Sequence, residues 1–113
     1  MTNLHYQLYI AGAFSEGSRR EVMQSKNPAN GENWATFACA SELDVERAVD
    51  AASDALNNPK WRDMTQTARG KLLFKLAKLI EEQATVLGNL ETQDSGKLLA
   101  ETATQTKYVA DYY

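Results

Sequence analysis

Cysteine is nearly absent from this chain. Cys39 is the only one in 113 residues, so no disulfide framework can form within it, and a reducing compartment is expected. Histidine is equally scarce, with His5 alone. One histidine and one cysteine, far apart in sequence, lack the number and spacing of ligands that a zinc site needs. Long apolar runs are missing too. Nothing approaches the roughly 18 apolar residues of a membrane helix, and Met1–His5 has neither the basic region nor the apolar run of a signal peptide. A cytoplasmic protein with no membrane partner is expected. A strong charge of either sign is also lacking. Twelve basic and fifteen acidic residues give a net charge of -3, which argues against nucleic acid, whose binders concentrate positive charge. The doublet Arg19-Arg20 is isolated and reads as a solvated turn.

The familiar catalytic signatures are absent as well. No GxGxxG, P-loop, HExxH or GxSxG pattern occurs. Asp94-Ser95-Gly96-Lys97 contains Gly-Lys without the preceding glycine-rich loop of a phosphate cradle. Cys39, between Ala38 and Ala40, has no nearby base and reads as a small packed thiol. The pairs Glu81-Glu82 and Glu91-Asp94 fall on a polar helix side and near a helix end, where solvation or capping explains them.

What is present is globular in composition, 43% apolar and 24% charged, at the length of one small domain. The expected fold class is α/β, with short β-strands followed by several α-helices. Residues 1–40 form a β-rich segment and residues 41–113 a helical one. Leu8–Ile10 reads as a first strand, turned at Gly12 so that Ala13-Phe14 returns beside it. Glu16-Gly17-Ser18 marks a second turn. Glu21–Ser25 and Trp34–Cys39 read as further strands on either side of Asn27-Pro28-Ala29-Asn30-Gly31, the strongest turn signal in the chain. Ribbons this short need a cover.

Ser41 and Asp44 resemble a capping box, opening a helix whose stripe is Val45, Val49, Ala52 and Leu56. Asn57-Asn58-Pro59 closes it, with asparagine suited to a left-handed cap. Thr65 or Thr67 caps a second helix, whose face carries Leu72, Leu76, Leu79, Ile80, Gln83 and Leu87, reinforced by Leu73. Gly88 is expected to divide it from a third segment, and Ser95-Gly96 to end that one. A last helix starts near Leu98, with Leu99, Ala103, Tyr108 and Tyr112 as inward positions. Threonines 102, 104 and 106 weaken its intrinsic helicity, so it depends on packing.

Several blocks taken together resemble the N-terminal region of the aldehyde dehydrogenase superfamily. They are Leu8–Gly12, Asn27–Glu32, Ser41–Leu56, Pro59–Arg62, Arg69–Glu81 and Leu90–Lys97, and they arrive in the family's order. The resemblance implies a part of an NAD(P)-dependent enzyme that oxidises an aldehyde to a carboxylic acid. NAD or NADP is then the cofactor of the intact enzyme, an aldehyde its substrate, and a homo-oligomer its expected state. In such enzymes a cysteine attacks the aldehyde carbonyl, the thiohemiacetal passes hydride to the nicotinamide, and a glutamate activates water. The resemblance places all these groups beyond the matched region. No catalytic or cofactor-binding residue is therefore expected here, and Cys39 does not align with the nucleophile.

The resemblance also implies a structural monovalent cation, held by backbone carbonyls of Ser25 or Lys26 and the carboxylate of Asp94. Leu98, Thr104 and Lys107 depart from common family residues without touching chemistry. Val109–Tyr113 is an apolar-aromatic pattern without cap, glycine stop or polar tail. The chain is thus expected to be an N-terminal fragment, inactive alone. The alternative is a non-catalytic helical interaction module built on the same scaffold.

Overall fold

The computed structural model describes residues 4–113. Five strands precede five helices, an α/β arrangement as expected. The chain forms two compact units. The first holds residues up to Lys26 and Glu32–Asp63; the second holds Asn27–Gly31 and Met64–Tyr113.

In the first unit, β1 (Leu4–Tyr6), β4 (Val22–Lys26) and β5 (Asn33–Ala38) make one sheet in the order β1-β5-β4. β1 runs parallel to β5, with Leu4 opposite Ala35, and β4 runs antiparallel to it, with Val22 opposite Ala38. A register shift between Ser25 and Lys26 ends the regular ladder. β2 (Leu8–Ile10) and β3 (Ala13–Ser15) form a separate antiparallel ribbon, turned through Ala11 and Gly12 at φ 53° and 81°. Tyr9 stands opposite Phe14, their rings 5.0 Å apart. β1 lies outside the expected strands. Its three residues carry little pattern, and only pairing with the distant β5 makes them a strand.

α1 (Glu42–Asn57) lies against β2 and begins at the expected capping box, but most of its side chains stay exposed, so it covers the ribbons only slightly. It does not end as expected. Asn58 is extended, at φ -66° and ψ 125°, rather than left-handed. The ring of Pro59 excludes helical geometry from the residue before it. Asn58 instead opens a further short helix, α2 (Pro59–Arg62), its Oδ1 accepting the Lys60 N–H at 2.9 Å. Proline at the first helical position loses no needed donor.

In the second unit, α3 (Gln66–Glu82) starts from Thr65, whose Oγ1 accepts the Ala68 N–H at 3.2 Å. It stops at Gln83, where ψ is 6°, and α4 (Ala84–Ser95) follows at once. The expected break at Gly88 is therefore displaced. Gly88 is buried inside α4, where a Cβ would sit 2.9 Å from the Ala103 Cα of α5 (Leu99–Ala110). The glycine permits close helix approach instead of ending a helix.

The inward face of α5 also differs from expectation. Thr102 and Thr106 are buried, whereas Leu99, Tyr108 and Tyr112 are exposed and Ala103 is half-buried. Close packing against Ala84 and Gly88 leaves room for small side chains only. The threonine hydroxyls stay satisfied: Thr106 Oγ1 donates to the Thr102 carbonyl at 2.8 Å, and the Thr102 and Thr92 hydroxyls lie 2.8 Å apart. Buried polar atoms require such partners.

Candidate functional site

The three residues of the expected cation site fall on two elements. Ser25 is half-buried in β4, its Oγ accepting the Trp34 indole N–H at 3.1 Å. Lys26 is exposed at the end of that strand, at the register shift. Asp94 is exposed in the last turn of α4 and belongs to the second unit. Lys26 leads directly into the Asn-Pro turn. There the Asn27 carbonyl accepts the Gly31 N–H at 2.7 Å, and Asn27 Oδ1 accepts the Ala29 N–H at 2.9 Å. This turn meets the end of α4. Gly96 caps α4 in the left-handed region at φ 75°, and a Cβ there would lie 2.8 Å from Pro28 Cγ. Two of the resembling blocks, far apart in sequence, thus pack on each other through a proline and a glycine. Among the described residues, no group of three or more His, Cys, Asp or Glu side chains is placed to hold a metal.

The most concentrated polar cluster in the first unit centres on Asp44, which is only 2% exposed. Its carboxylate accepts from Ser18 N–H at 2.9 Å, Ser41 N–H at 2.9 Å, Ser41 Oγ at 2.8 Å and Ser18 Oγ at 3.0 Å. The Arg47 guanidinium stands 3.9 Å away. Donation from the Ser18 backbone, then from Ser41, favours the ionised form and holds this carboxyl well below the ordinary carboxylate range. The capping box was legible in sequence; its link to Ser18 was not. That link needs Gly17 at φ 76°, where a Cβ would come 2.6 Å from the Cys39 carbonyl oxygen. The arrangement clasps the β3–β4 loop to the start of α1. All four of these bonds fall on Oδ2 and come from the chain itself, so the cluster holds structure together.

His5 has partners that sequence could not show. Nε2 lies 2.7 Å from Glu16 Oε2 and Nδ1 lies 2.8 Å from Thr36 Oγ1. His5, followed by Gln7, holds the Glu16 carboxyl below its usual value. His5 and Glu16 are exposed and Thr36 is half-buried; together they tie β1 to β5 and to the end of β3. Cys39 is half-buried and follows β5 directly. Glu91 pairs with Lys97 at 2.6 Å, and Glu82 with Lys78 at 3.9 Å. Glu82 and Glu91 thus take part in ion pairs with neighbouring lysines.

Two of the open clefts lie beside α1 and α5. One, of about 370 Å³, lies between β2 and α1 and is lined mostly by apolar side chains. The other, of about 650 Å³, lies between α3 and α5 and mixes Lys78 and Lys107 with Glu81 and Asp111 around Phe74 and Tyr108. Its opposed charges cancel.

Similarity to known proteins decides what this scaffold is. The model of the aldehyde dehydrogenase family matches residues 14–113. The chain belongs to the aldehyde dehydrogenase family. Among its relatives, (Z)-2-((N-methylformamido)methylene)-5-hydroxybutyrolactone dehydrogenase of Acinetobacter baylyi is 48% identical over 108 residues, which are 96% of this chain and 22% of the relative. D-glyceraldehyde dehydrogenase (NADP(+)) of Picrophilus torridus is 35% identical over 93% of this chain and 21% of its own length. The crystal structure of an NAD-dependent aldehyde dehydrogenase from Sinorhizobium meliloti superposes with a TM-score of 0.92 at 29% identity, over 96% of this chain and 22% of that one. The chain spans about a fifth of the length of these relatives.

The described residues of this family member do not fit the dinucleotide that the family implies. No strand passes through a glycine-rich turn into a helix. The one strand-to-helix connection, from β5 through Cys39-Ala40-Ser41 into α1, holds no glycine, and its capping box engages the Asp44 N–H of the first turn.

Proposed function

We propose that this chain is the N-terminal architectural part of an NAD(P)-dependent aldehyde dehydrogenase that oxidises an aldehyde to a carboxylic acid, and that it contributes no catalytic group of its own. The observation that carries this reading is the family match over residues 14–113, together with the same fold embedded in a chain more than four times as long. The names of relatives support a nicotinamide cofactor of either kind, since one is an NADP(+) enzyme and a betaine aldehyde dehydrogenase from Staphylococcus aureus was solved with NAD+. The chain's role is to hold helices α1 and α3–α5 in place around chemistry supplied by other residues. The parent enzyme is a cytoplasmic homo-oligomer in this reading, and the monovalent cation implied at Ser25, Lys26 and Asp94 belongs to its architecture.

The test is an aldehyde-oxidation assay on purified, mass-verified 113-residue polypeptide. No NADH or NADPH formation above background is expected over a panel of aliphatic, aromatic and betaine aldehydes. Sustained, protein-dependent production of the reduced cofactor would sink the proposal that the chain lacks catalytic groups.

A further inference from the structure

Of the seven asparagines in the chain, only Asn30 precedes a glycine. That neighbour matters because a backbone nitrogen can attack the side-chain amide of the residue before it. The other asparagines are guarded at this step. Asn27 and Asn58 precede proline, whose nitrogen carries no proton to lose. Asn3, Asn33, Asn57 and Asn89 precede residues whose Cβ crowds the attacking nitrogen. Gly31 has no Cβ, and one built there would meet nothing within 4 Å. The space beside its nitrogen is therefore open.

The pair lies in the connection from β4 to β5, and both residues are exposed. The backbone supplies a brake. The N–H groups of Asn30 and Gly31 both donate to the Asn27 carbonyl, at 3.3 and 2.7 Å. A nitrogen whose proton is engaged attacks poorly, so reaction requires the turn to open. Exposed turns open locally at far lower cost than the whole fold. Once open, glycine lets the backbone swing its nitrogen toward Asn30 Cγ with little steric penalty.

We propose that Asn30 is a site of spontaneous deamidation, and that the Asn27–Gly31 turn sets its rate. Hydroxide takes the Gly31 N–H proton, and the nitrogen forms a bond to Asn30 Cγ. The bond from Cγ to the side-chain nitrogen breaks. Ammonia leaves with a proton from water, which restores the hydroxide. Water then opens the cyclic imide at either carbonyl. One opening gives aspartate at position 30, the other isoaspartate, whose main chain runs through Cγ. Both products place a new negative charge beside Glu32. Isoaspartate also lengthens the main chain between Asn27 and Gly31, so the bond joining them cannot keep its geometry. Pro28 of this turn abuts Gly96, where a Cβ would lie 2.8 Å from Pro28 Cγ. The altered turn therefore loses its fit against the end of α4.

The experiment incubates the purified 113-residue chain in heavy-oxygen water at pH 6 and pH 9. Peptide mapping by mass spectrometry follows each asparagine, and an isoaspartyl-specific carboxyl methyltransferase scores the isoaspartate. Heavy oxygen should enter at position 30, as both products, and faster at pH 9. Asn30→Gln should abolish both, because the larger ring closes poorly. Asn27→Ala removes the bond from Asn27 Oδ1 to the Ala29 N–H at 2.9 Å, and should speed conversion about fivefold by loosening the turn. Pro28→Ala should speed it about two- to fivefold by the same route. Circular dichroism of the variants should match the parent chain. Asn30 unchanged in the folded chain, while it converts in urea, overturns the proposal. Faster conversion at Asn33, Asn57 or Asn89 overturns it as well. Rates in Asn27→Ala and Pro28→Ala equal to the parent's would overturn control by the turn.

Discussion

The two compact units hold themselves together by opposite means. The first relies on directed polar contacts. A buried carboxylate gathers the donors of Ser18 and Ser41, and a histidine bridges Thr36 and Glu16. Its apolar stripe is left open. The second relies on close approach. Glycine and alanine of α4 meet threonines of α5, and the larger apolar residues of α3 remain partly exposed. In neither unit do the large side chains fill the core. The residues that set internal geometry are small or polar, and the bulky ones are available to cover something else. This suits a part of a larger assembly: its own shape is set by contacts that use little apolar area.

Substitutions at the small residues should break the second unit most sharply. Gly88→Val would force α4 and α5 apart where a Cβ already comes 2.9 Å from Ala103 Cα. Urea titration should show a loss of about 3 kcal/mol. Gly70→Ala is the control within the same unit. A Cβ there meets nothing within 4 Å, so the helix should gain up to about 1 kcal/mol. Equal effects of the two changes would remove close approach as the organising principle.

The corresponding break in the first unit is Asp44→Asn, read against pH. The folded carboxyl lies below its ordinary value of 3.8, so its stabilising contribution is complete above that value. It is lost progressively as pH falls below it, until the folded carboxyl itself protonates. Thermal melts from pH 6 to pH 2 should therefore show a steeper acid decline for the parent chain than for Asp44→Asn, which should be less stable near neutrality. Parallel curves would show that the clasp is not held by charge.

A finer probe of the second unit is Thr102→Val. It keeps the volume but removes the hydroxyl that meets Thr92, and a cost of about 1 kcal/mol in the same urea titration is expected. A neutral result would mean that shape alone holds the α4–α5 pair. The smallest effect belongs to the surface. Lys78→Ala should change stability by less than about 0.5 kcal/mol, since its ion pair with Glu82 is 3.9 Å long and exposed. A larger loss there would assign α3 a polar role that the comparison denies it.

Local chemistry was legible wherever it acts over a few residues. Ser41 with Asp44 announced the start of α1, Asn27–Gly31 a turn, Thr65 or Thr67 a cap and Gly96 a helix end, because each depends on neighbours within one turn of chain. Misreadings arose where a distant segment decides. Gly88 looked like a break until Ala103 showed why a side chain is excluded there. Leu99, Tyr108 and Tyr112 looked inward because apolar residues usually are, but the narrow gap beside Gly88 admits threonine instead. Asn58 was suited to a left-handed cap, yet its proline neighbour held it extended. The expected cation residues were legible only through family resemblance, since backbone carbonyls leave no mark in composition.

By itself, the sequence determined the succession of a strand-rich part and a helical part, several of the caps and turns within them, and membership of the aldehyde dehydrogenase family. Those properties reside in short-range spacing and in the succession of motifs. Only the tertiary structure decided that β1 is a strand, that Ser18 completes the Asp44 clasp, and that α5 turns threonines inward. It also decided that the α1 stripe faces an open groove. The physical reason is common to all four: burial and pairing are properties of which distant surfaces meet, and a hydrophobic period states that a face seeks cover without stating which surface supplies it.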